Sequence, residues 1–173
     1  MTRDTVPPPV PAPAGPRPSP IGRAWAWVGR HERWLWTAVI LALLVMRWPV
    51  IKGYYYKFTD AEAPPTTIEW RTDLDAALAE ARRDGKRVVV DFTADWCPPC
   101  IAMKHDVWPH PDVARAVARE YVPVLIDTDR DGVTTARYGV GGIPTVLILD
   151  GAGTVLGRGA PLTASGMIGF LAR

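Results

Sequence analysis

The chain has 173 residues, of which 48% are hydrophobic and 22% are charged. This length suits one ordinary domain with an additional segment. The formal net charge of +2 is unevenly distributed, because residues 1–63 carry eight Arg/Lys and four Asp/Glu while residues 64–173 carry twelve and fourteen. Neither part has the strongly basic face of a nucleic-acid-binding protein, so we expect no nucleic-acid partner.

The first segment of the chain is rich in proline. Residues 1–20 contain eight of the 18 prolines and no aromatic residue. Such a composition cannot bury enough apolar surface to offset the entropy lost on ordering. The sequence therefore predicts a disordered Pro-rich tail over residues 1–20.

A hydrophobic run, WLWTAVILALLVM, follows over residues 34–46, and Thr37 is its only polar residue. The run extends to residue 51 if Arg47 snorkels to the membrane interface, and eighteen helical residues rise about 27 Å, which suits a thin hydrocarbon core. Aromatic residues flank it on both sides, as in an interfacial belt: Trp25, Trp27, Trp34 and Trp36 before it, and Trp48, Tyr54, Tyr55 and Tyr56 after it. We predict a single transmembrane helix over about residues 34–51, within an anchor region over residues 21–57.

Two other interpretations of this run are possible. A cleavable signal peptide would have an n-region of 33 residues, and no small-x-small cleavage site follows Met46. A buried helix of a soluble domain fits the length of the run but leaves the paired aromatic clusters unexplained. An uncleaved anchor is favoured.

The orientation of this anchor follows from the positive charges on its two sides. More arginines precede the run than lysines follow it: Arg17, Arg23, Arg30 and Arg33 come before, and Lys52 and Lys57 come after. Because the more positive side stays inside, we expect a cytoplasmic N-terminus and a C-terminal domain in the periplasm, where disulfides persist. The expected location is the cell membrane, as a single-pass protein.

After a linker over residues 58–65, the pattern over residues 66–173 alternates strands and helices. A helix begins at the N-cap Asp73 and ends before Gly85. The other predicted elements are a short strand 68–70, a strand 87–93, a helix through 106, a helix 112–120, a strand 121–127, a hairpin of strands 143–150 and 154–159, and a closing helix 163–171. This order predicts an α/β domain with a βαβ beginning and a ββα end.

The chain's two cysteines, Cys97 and Cys100, are separated only by Pro98 and Pro99 and follow the strand 87–93. If a helix begins at Cys97, the sulfurs can close into a small ring. A thiolate at a helix N-terminus has a lowered pKa and is a nucleophile near neutral pH. We expect Cys97 to be the exposed attacking thiolate and Cys100 to resolve the mixed disulfide. Pro98 and Pro99 start the helix, or tune the redox potential by changing how many N–H donors reach the thiolate.

Metal binding is an alternative use of the two cysteines. Their spacing to His105 and His110 nearly reproduces a zinc knuckle. A knuckle folds around its metal as an isolated loop, however, whereas these cysteines interrupt a strand-helix unit. Copper transfer, with Met103 or a histidine as a further soft ligand, is a second alternative. We predict no resident metal and no cofactor.

Three separated motifs resemble the thioredoxin superfamily: DFTADWCPPC over residues 91–100, YGVGGIPT over residues 138–145, and the hairpin that follows. The resemblance covers residues 66–173. It is greatest to the C-terminal thioredoxin-like domain of the DsbD-type disulfide interchange reductases, whose multi-span electron-carrying part a single anchor cannot supply. The resemblance implies a thioredoxin fold, in which helices flank a central mixed sheet.

The resemblance also implies roles for individual residues. Asp91 corresponds to the family's buried acid, which exchanges a proton with the resolving thiol, and burial raises the pKa of such an acid. The alternative is a strand-end acid bonded to a neighbouring backbone N–H. The lysine that often accompanies this acid is replaced near Leu125.

The substrate-binding residues are also implied by the resemblance. Pro144 corresponds to the family's cis-proline, which turns the backbone of Ile143 toward the dithiol so that a substrate strand can pair there. Trp96 is expected to cover the dithiol with an apolar face, although a tryptophan before a helix is also ordinary core material.

Together these features predict a membrane-anchored thiol-disulfide oxidoreductase. Its expected partners are cysteine-containing proteins outside the cytoplasm and a membrane or soluble thiol electron donor. The sequence does not decide the direction of the reaction, and we favour reduction by analogy with anchored relatives. The alternatives on the same fold are a copper-binding chaperone and a non-catalytic polypeptide-binding module.

Overall fold

The structure is a computed structural model that describes the backbone of residues 20–173 and the side chains of residues 32–173. Apart from Pro20, the predicted Pro-rich tail lies outside the described residues. The chain divides into two compact units between Val45 and Met46. The second unit, Met46–Arg173, contains the dithiol.

Helix α1 (Pro20–Met46) carries the apolar run, and the side chains of residues 34–46 are exposed. Within residues 20–173, no single helix has both the length and the hydropathy needed to cross a membrane. Two helical segments interrupted at Arg47, Glu32–Met46 and Trp48–Phe58, meet those criteria only as a pair. The predicted single span over about residues 34–51 stays a prediction.

The second unit is an α/β domain, as predicted. Its helices and strands in chain order are α2 (Trp48–Phe58), α3 (Leu74–Asp84), β1 (Arg87–Thr93), α4 (Pro98–Asp106), α5 (Pro111–Glu120), β2 (Tyr121–Asp127), α6 (Gly132–Arg137), β3 (Thr145–Leu149), β4 (Val155–Gly159) and α7 (Ala164–Leu171).

The four strands form one mixed sheet in the order β2-β1-β3-β4. Strand β1 is parallel to β2 and antiparallel to β3, which is antiparallel to β4. Alternate residues of β1 point to opposite faces of the sheet: Val89 packs into one buried cluster with residues of α5 and α7, and Val88 and Val90 pack into another with α3. Both faces of the sheet are therefore covered, which explains why β1 is almost continuously apolar.

The ends of α3 form as the sequence predicts. The Asp73 carboxylate accepts the Ala76 backbone N–H at 2.9 Å, which satisfies one donor of the first turn. Gly85 has φ +64°, a left-handed conformation that ends the helix and that glycine adopts without steric cost.

Two local predictions do not match the structure. The strand expected at residues 68–70 does not form, and the segment instead makes one isolated parallel bridge, Arg71 to Val124. Ile68 is apolar because it packs into the core, not because it belongs to the sheet. The sequence also missed α6, which Asp131 caps by accepting the Thr134 N–H at 2.9 Å. None of its residues is buried, so no apolar periodicity marked it.

Helix α2 packs closely against α4, the helix that begins at the dithiol. A Cβ atom placed on Gly53 would lie 1.7 Å from the carbonyl oxygen of Pro98, so only glycine permits this approach. Asp106, at the other end of α4, pairs with Lys52 at 2.6 Å and accepts the Tyr56 hydroxyl at 3.0 Å. The Tyr56 ring also stacks on His105, with ring centroids 4.1 Å apart.

Replacing Gly53 with alanine tests this contact. Alanine favours helix by about 1 kcal/mol over glycine, but the Pro98 carbonyl belongs to the backbone and cannot move aside cheaply. We expect Gly53→Ala to lower the free energy of unfolding by about 1–3 kcal/mol, measured by urea titration of the full chain in detergent. We also expect faster hydrogen exchange of the α2 amides.

Gly169→Ala is the matched control, because a Cβ at this position in α7 meets no atom within 4 Å. It should leave the protein as stable as the wild type or slightly more so. If Gly53→Ala behaved in the same way as the control, the close packing of α2 on α4 would be wrong.

Candidate active site

The two cysteines lie where β1 gives way to α4, and they form a disulfide with a Cα–Cα distance of 5.3 Å. Cys97 is the N-cap of α4, and its Sγ accepts the backbone N–H of Cys100 at 3.3 Å. The same donor and the positive end of the helix dipole would face a thiolate on Cys97 after reduction. The junction therefore supplies the setting that makes a dithiol reactive.

The exposure of Cys97 differs from the prediction. Cys97 was expected to be exposed, yet in the disulfide form it is only 2% exposed and Cys100 only 5%. Both pack with Ala94 and the partly buried Ile143 in a small apolar cluster. The expectation was wrong because an N-cap position indicates where a sulfur lies along the helix, not what covers it.

The two prolines between the cysteines occupy the first two positions of α4. Neither has a backbone N–H, so Cys100 supplies the first backbone donor within the helix, and this donor points at Cys97 Sγ. Pro98 also presents its carbonyl to Gly53 of α2. The contribution of Pro98 and Pro99 to the redox potential stays a prediction.

The Ile143–Pro144 segment lies beside the dithiol. The peptide bond between these two residues is cis, as the resemblance implies. Ile143 contacts the cluster that contains Cys97 and Cys100, and Pro144 directly precedes β3. The structure thus brings together the second and first motifs, which are about forty residues apart in the sequence.

Asp91 is a buried acid within β1, with 5% exposure, between Leu125 of β2 and Val146 of β3. Its Oδ2 atom accepts the indole N–H of Trp108 at 2.8 Å, and its Oδ1 atom has no hydrogen-bond partner among the described residues. The alternative of a strand-end acid bonded to a neighbouring backbone N–H is therefore wrong.

The surroundings of Asp91 change its acidity. Burial penalises the charged form and raises the pKa of Asp91 to about 7, and the Trp108 hydrogen bond opposes part of that increase. An acid with this pKa can both accept and release a proton near neutral pH. Leu125, directly opposite Asp91 in the register, lies where the resemblance implies that the family's lysine is replaced.

Trp96 lies at the surface next to the dithiol in sequence and is 57% exposed. Its indole N–H donates to Asp129 Oδ2 at 2.8 Å, which holds the ring to the loop after β2. The proposed role of Trp96 in covering the dithiol or contacting substrate stays a prediction.

The residues of the zinc-knuckle spacing do not meet. Within the part of the chain whose side chains are described, no group of three or more His, Cys, Asp or Glu side chains could hold a metal ion. His110 instead caps α5 through its Nδ1 atom, which accepts the Asp112 N–H at 3.3 Å. His105 stacks on Tyr56.

Trp108 is the residue at this site whose contact sequence reasoning missed. It follows Asp91 by seventeen residues, and it reaches the acid only because the segment after α4 folds back over the sheet. Its ring also meets Trp70 edge-on, with centroids 4.9 Å apart. No spacing rule connects a strand acid to a tryptophan beyond the next helix, so the sequence carried no signal for this pair.

Comparisons with known proteins agree with this geometry. A family model described as thioredoxin-like matches residues 69–151. The thiol:disulfide interchange protein HelX of Rhodobacter capsulatus is 32% identical over 154 residues, which cover 72% of this chain and 88% of HelX.

Two further relatives match the same domain. The thiol:disulfide interchange protein DsbD of Cronobacter sakazakii is 33% identical over 97 residues, 54% of this chain but only 17% of DsbD, so the chain spans a small part of that protein. A thioredoxin from Thermus thermophilus superposes with a TM-score of 0.54 and 27% identity, covering 62% of this chain and 86% of the thioredoxin. The chain belongs to the thioredoxin-like family of thiol-disulfide oxidoreductases and is related to HelX and to the DsbD proteins.

Proposed function

We propose that this protein is a membrane-anchored oxidoreductase that reduces disulfides of cysteine-containing proteins outside the cytoplasm. The observation that carries the proposal is the Cys97–Cys100 disulfide at the N-terminus of α4, with the Cys100 N–H directed at Cys97 Sγ. The anchoring part rests on the exposed apolar run of residues 34–46 and on the charges that flank it.

The reaction begins from the reduced dithiol. The Cys97 thiolate attacks one sulfur of the substrate disulfide, so that a new bond forms between Cys97 and the substrate while the substrate S–S bond breaks and releases one thiolate. Cys100 then loses its proton and attacks Cys97 Sγ. The mixed disulfide breaks, the second substrate thiolate leaves, and the Cys97–Cys100 disulfide forms, having given two electrons to the substrate.

Asp91 is the proposed acceptor of the Cys100 proton. Its Oδ2 atom binds Trp108, which packs in the same cluster as Met103 of α4, and its Oδ1 atom has no hydrogen-bond partner in residues 32–173. Its raised pKa lets it take a proton at neutral pH and return it when the disulfide is reduced again. A membrane or soluble thiol donor supplies the two electrons for that second half of the cycle.

The substrate approaches on the side of Ile143 and Pro144 in this proposal. Ile143 packs against the cluster that contains both cysteines, and an extended substrate segment can pair with the backbone of Ile143. Because both cysteines are buried in the disulfide form, the proposal requires Ile143 or its neighbours to shift to admit a partner thiol.

Substituting the cysteines one at a time tests the order of attack. Cys97→Ser removes the nucleophile, so insulin reduction should fall to the uncatalysed rate and no mixed disulfide should form. Cys100→Ser should also abolish turnover but should accumulate a covalent mixed disulfide with insulin, visible on a non-reducing gel. A Cys97→Ser variant that still reduced insulin would contradict the proposal, whereas one that kept only polypeptide binding would indicate a binding module.

Replacing Asp91 with asparagine tests the energetic effect of the buried acid. In the oxidised protein Asp91 has a folded pKa of about 7 against an unfolded value of 3.8. The unfolded chain therefore loses this proton at lower pH than the folded protein, and the stability of the wild type falls as the pH rises from about 4 to about 7. Asp91→Asn should show no such loss. The free energy of unfolding of Asp91→Asn, relative to that of the wild type, should therefore increase by about 4 kcal/mol between pH 4 and pH 8.

The measurement is denaturant unfolding of the oxidised full chain at both pH values. Asp95→Asn, the same chemical change at an exposed position four residues away, is the control and should track the wild type at both. A constant difference between Asp91→Asn and the wild type across this range would show that Asp91 does not titrate as proposed.

Replacing Trp108 with phenylalanine tests how the acid is held. The substitution removes the N–H that stabilises the carboxylate, so the pKa of Asp91 should rise further. We expect the pH at half-maximal insulin reduction to move upward. Trp70→Phe removes an indole from the same aromatic pair without touching Asp91, and it should leave the pH profile in place. Equal profiles for the two variants would exclude this role of Trp108.

A further inference from the structure

Helix α2 has two faces with different surroundings. One face carries Lys52, Gly53 and Tyr56, which contact α4. The opposite face carries five large apolar or aromatic side chains, which we call the aromatic stripe: Trp48, Ile51, Tyr54, Tyr55 and Phe58. Their exposed fractions run from 37% for Ile51 to 81% for Phe58.

The aromatic stripe is continuous along the helix. At about 100° per residue, its five side chains fall within an arc of about 120° that contains no other residue of α2. Tyr54 and Phe58 stack within it, with centroids 6.2 Å apart. A helix that is already packed in a domain on one side has no structural need for such a surface on the other, so the aromatic stripe points to a binding partner.

We propose that the aromatic stripe lies in the headgroup region of a lipid bilayer and that α2 thereby holds the dithiol helix at the membrane surface. Tryptophan and tyrosine are the residues enriched at that depth, because each has an apolar ring and a polar atom. The proposal rests on the membrane anchoring proposed above, because the aromatic stripe begins two residues after the apolar run ends at Met46.

The charges near the aromatic stripe fit a membrane better than a typical protein partner. No acidic residue occurs between Glu32 and Asp60, and Arg47 and Lys57 lie at the two ends of the stripe. Cations beside an apolar helix face are attracted to anionic phospholipids. The stripe itself carries no charge that would have to be buried.

The packing of α2 has a consequence for function. Packed helices lie about 8–10 Å apart, and Gly53 permits an especially close approach to Pro98. With α2 on the bilayer, the dithiol lies about one helix diameter from the lipid headgroups. The partner thiols are then those that reach the membrane surface, including the thiols of membrane-bound proteins.

A fluorescent probe at residue 58 tests the location of the aromatic stripe. The full chain carrying Cys97→Ser and Cys100→Ser would receive Phe58→Cys or, as the control, Val133→Cys, which lies on α6 with 82% exposure compared with 81% for Phe58. Each probe-labelled protein is reconstituted in vesicles of phosphatidylcholine and phosphatidylglycerol that contain nitroxide lipids. We expect quenching by lipid-borne nitroxide to be several-fold stronger at residue 58 than at residue 133, and quenching by aqueous iodide to be several-fold weaker.

Every other outcome contradicts the proposal. If iodide quenches both probes equally, the aromatic stripe faces water. If residue 58 is shielded from iodide and from nitroxide alike, a protein surface covers the stripe. Circular dichroism of each labelled protein, compared with the wild type, reports whether the double serine variant has kept its fold.

The same samples separate this proposal from the anchoring on which it rests. Flotation of the vesicles reports whether the chain is membrane-bound at all, whereas the probe reports where α2 lies. A second variant, Tyr55→Asp, places a charge within the aromatic stripe and leaves residues 34–46 unchanged. It should still float, and it should lose most of the nitroxide quenching at residue 58. If the protein without Tyr55→Asp floats with the vesicles but nitroxide lipids do not quench its probe at residue 58, the anchor is present. The proposed location of α2 in the headgroup region is then wrong.

Discussion

The chemistry of this protein depends on one constraint, the start of α4 at Pro98 with Cys97 as its N-cap. Two prolines remove the first two donors of the helix, and the Cys100 N–H becomes the first one available to the Cys97 sulfur. The helix dipole, the short Cys–Cys spacing and the backbone donor all act on the same atom. A shift of this start by a single residue would turn Cys97 away from these groups.

The rest of the fold holds α4 in place from two sides. Beneath it, Met103 packs on the sheet in the same apolar cluster as Trp108, and Trp108 binds Asp91. On another side, α2 contacts both ends of the helix, at Pro98 and at Asp106. Residues 48–57, which belong to the predicted anchor region by sequence, are therefore part of the same compact unit as the dithiol.

Asp91 illustrates a conflict between stability and the activity proposed for it. A buried carboxyl group with one unpartnered oxygen destabilises the folded protein when it is charged, and an apolar residue would fit the middle of β1 better. The acid makes sense where a proton must be exchanged inside an apolar site near neutral pH. Trp108 moderates this cost with a single hydrogen bond to one oxygen, and within residues 32–173 the other oxygen has no hydrogen-bond partner.

Much of this architecture was accessible from the sequence, because it depends on local rules. The N-cap at Asp73, the glycine that ends α3, the strand before the dithiol and the start of α4 each follow from residues within a few positions of one another. The missed helix α6 and the absent strand at residues 68–70 show where these rules fail, since the first has no buried face and the second owes its apolar residues to core packing.

The sequence by itself determined that this protein carries a dithiol at a strand-helix junction on an α/β domain, because spacing and periodicity are properties of neighbouring residues. Only the tertiary structure decided that Cys97 is covered in its disulfide form, that Trp108 binds Asp91, and that Gly53 allows α2 to pack on the dithiol helix. These three features join residues that are far apart in the chain or depend on neighbours from other elements. Such contacts form through long-range packing, which no local pattern records.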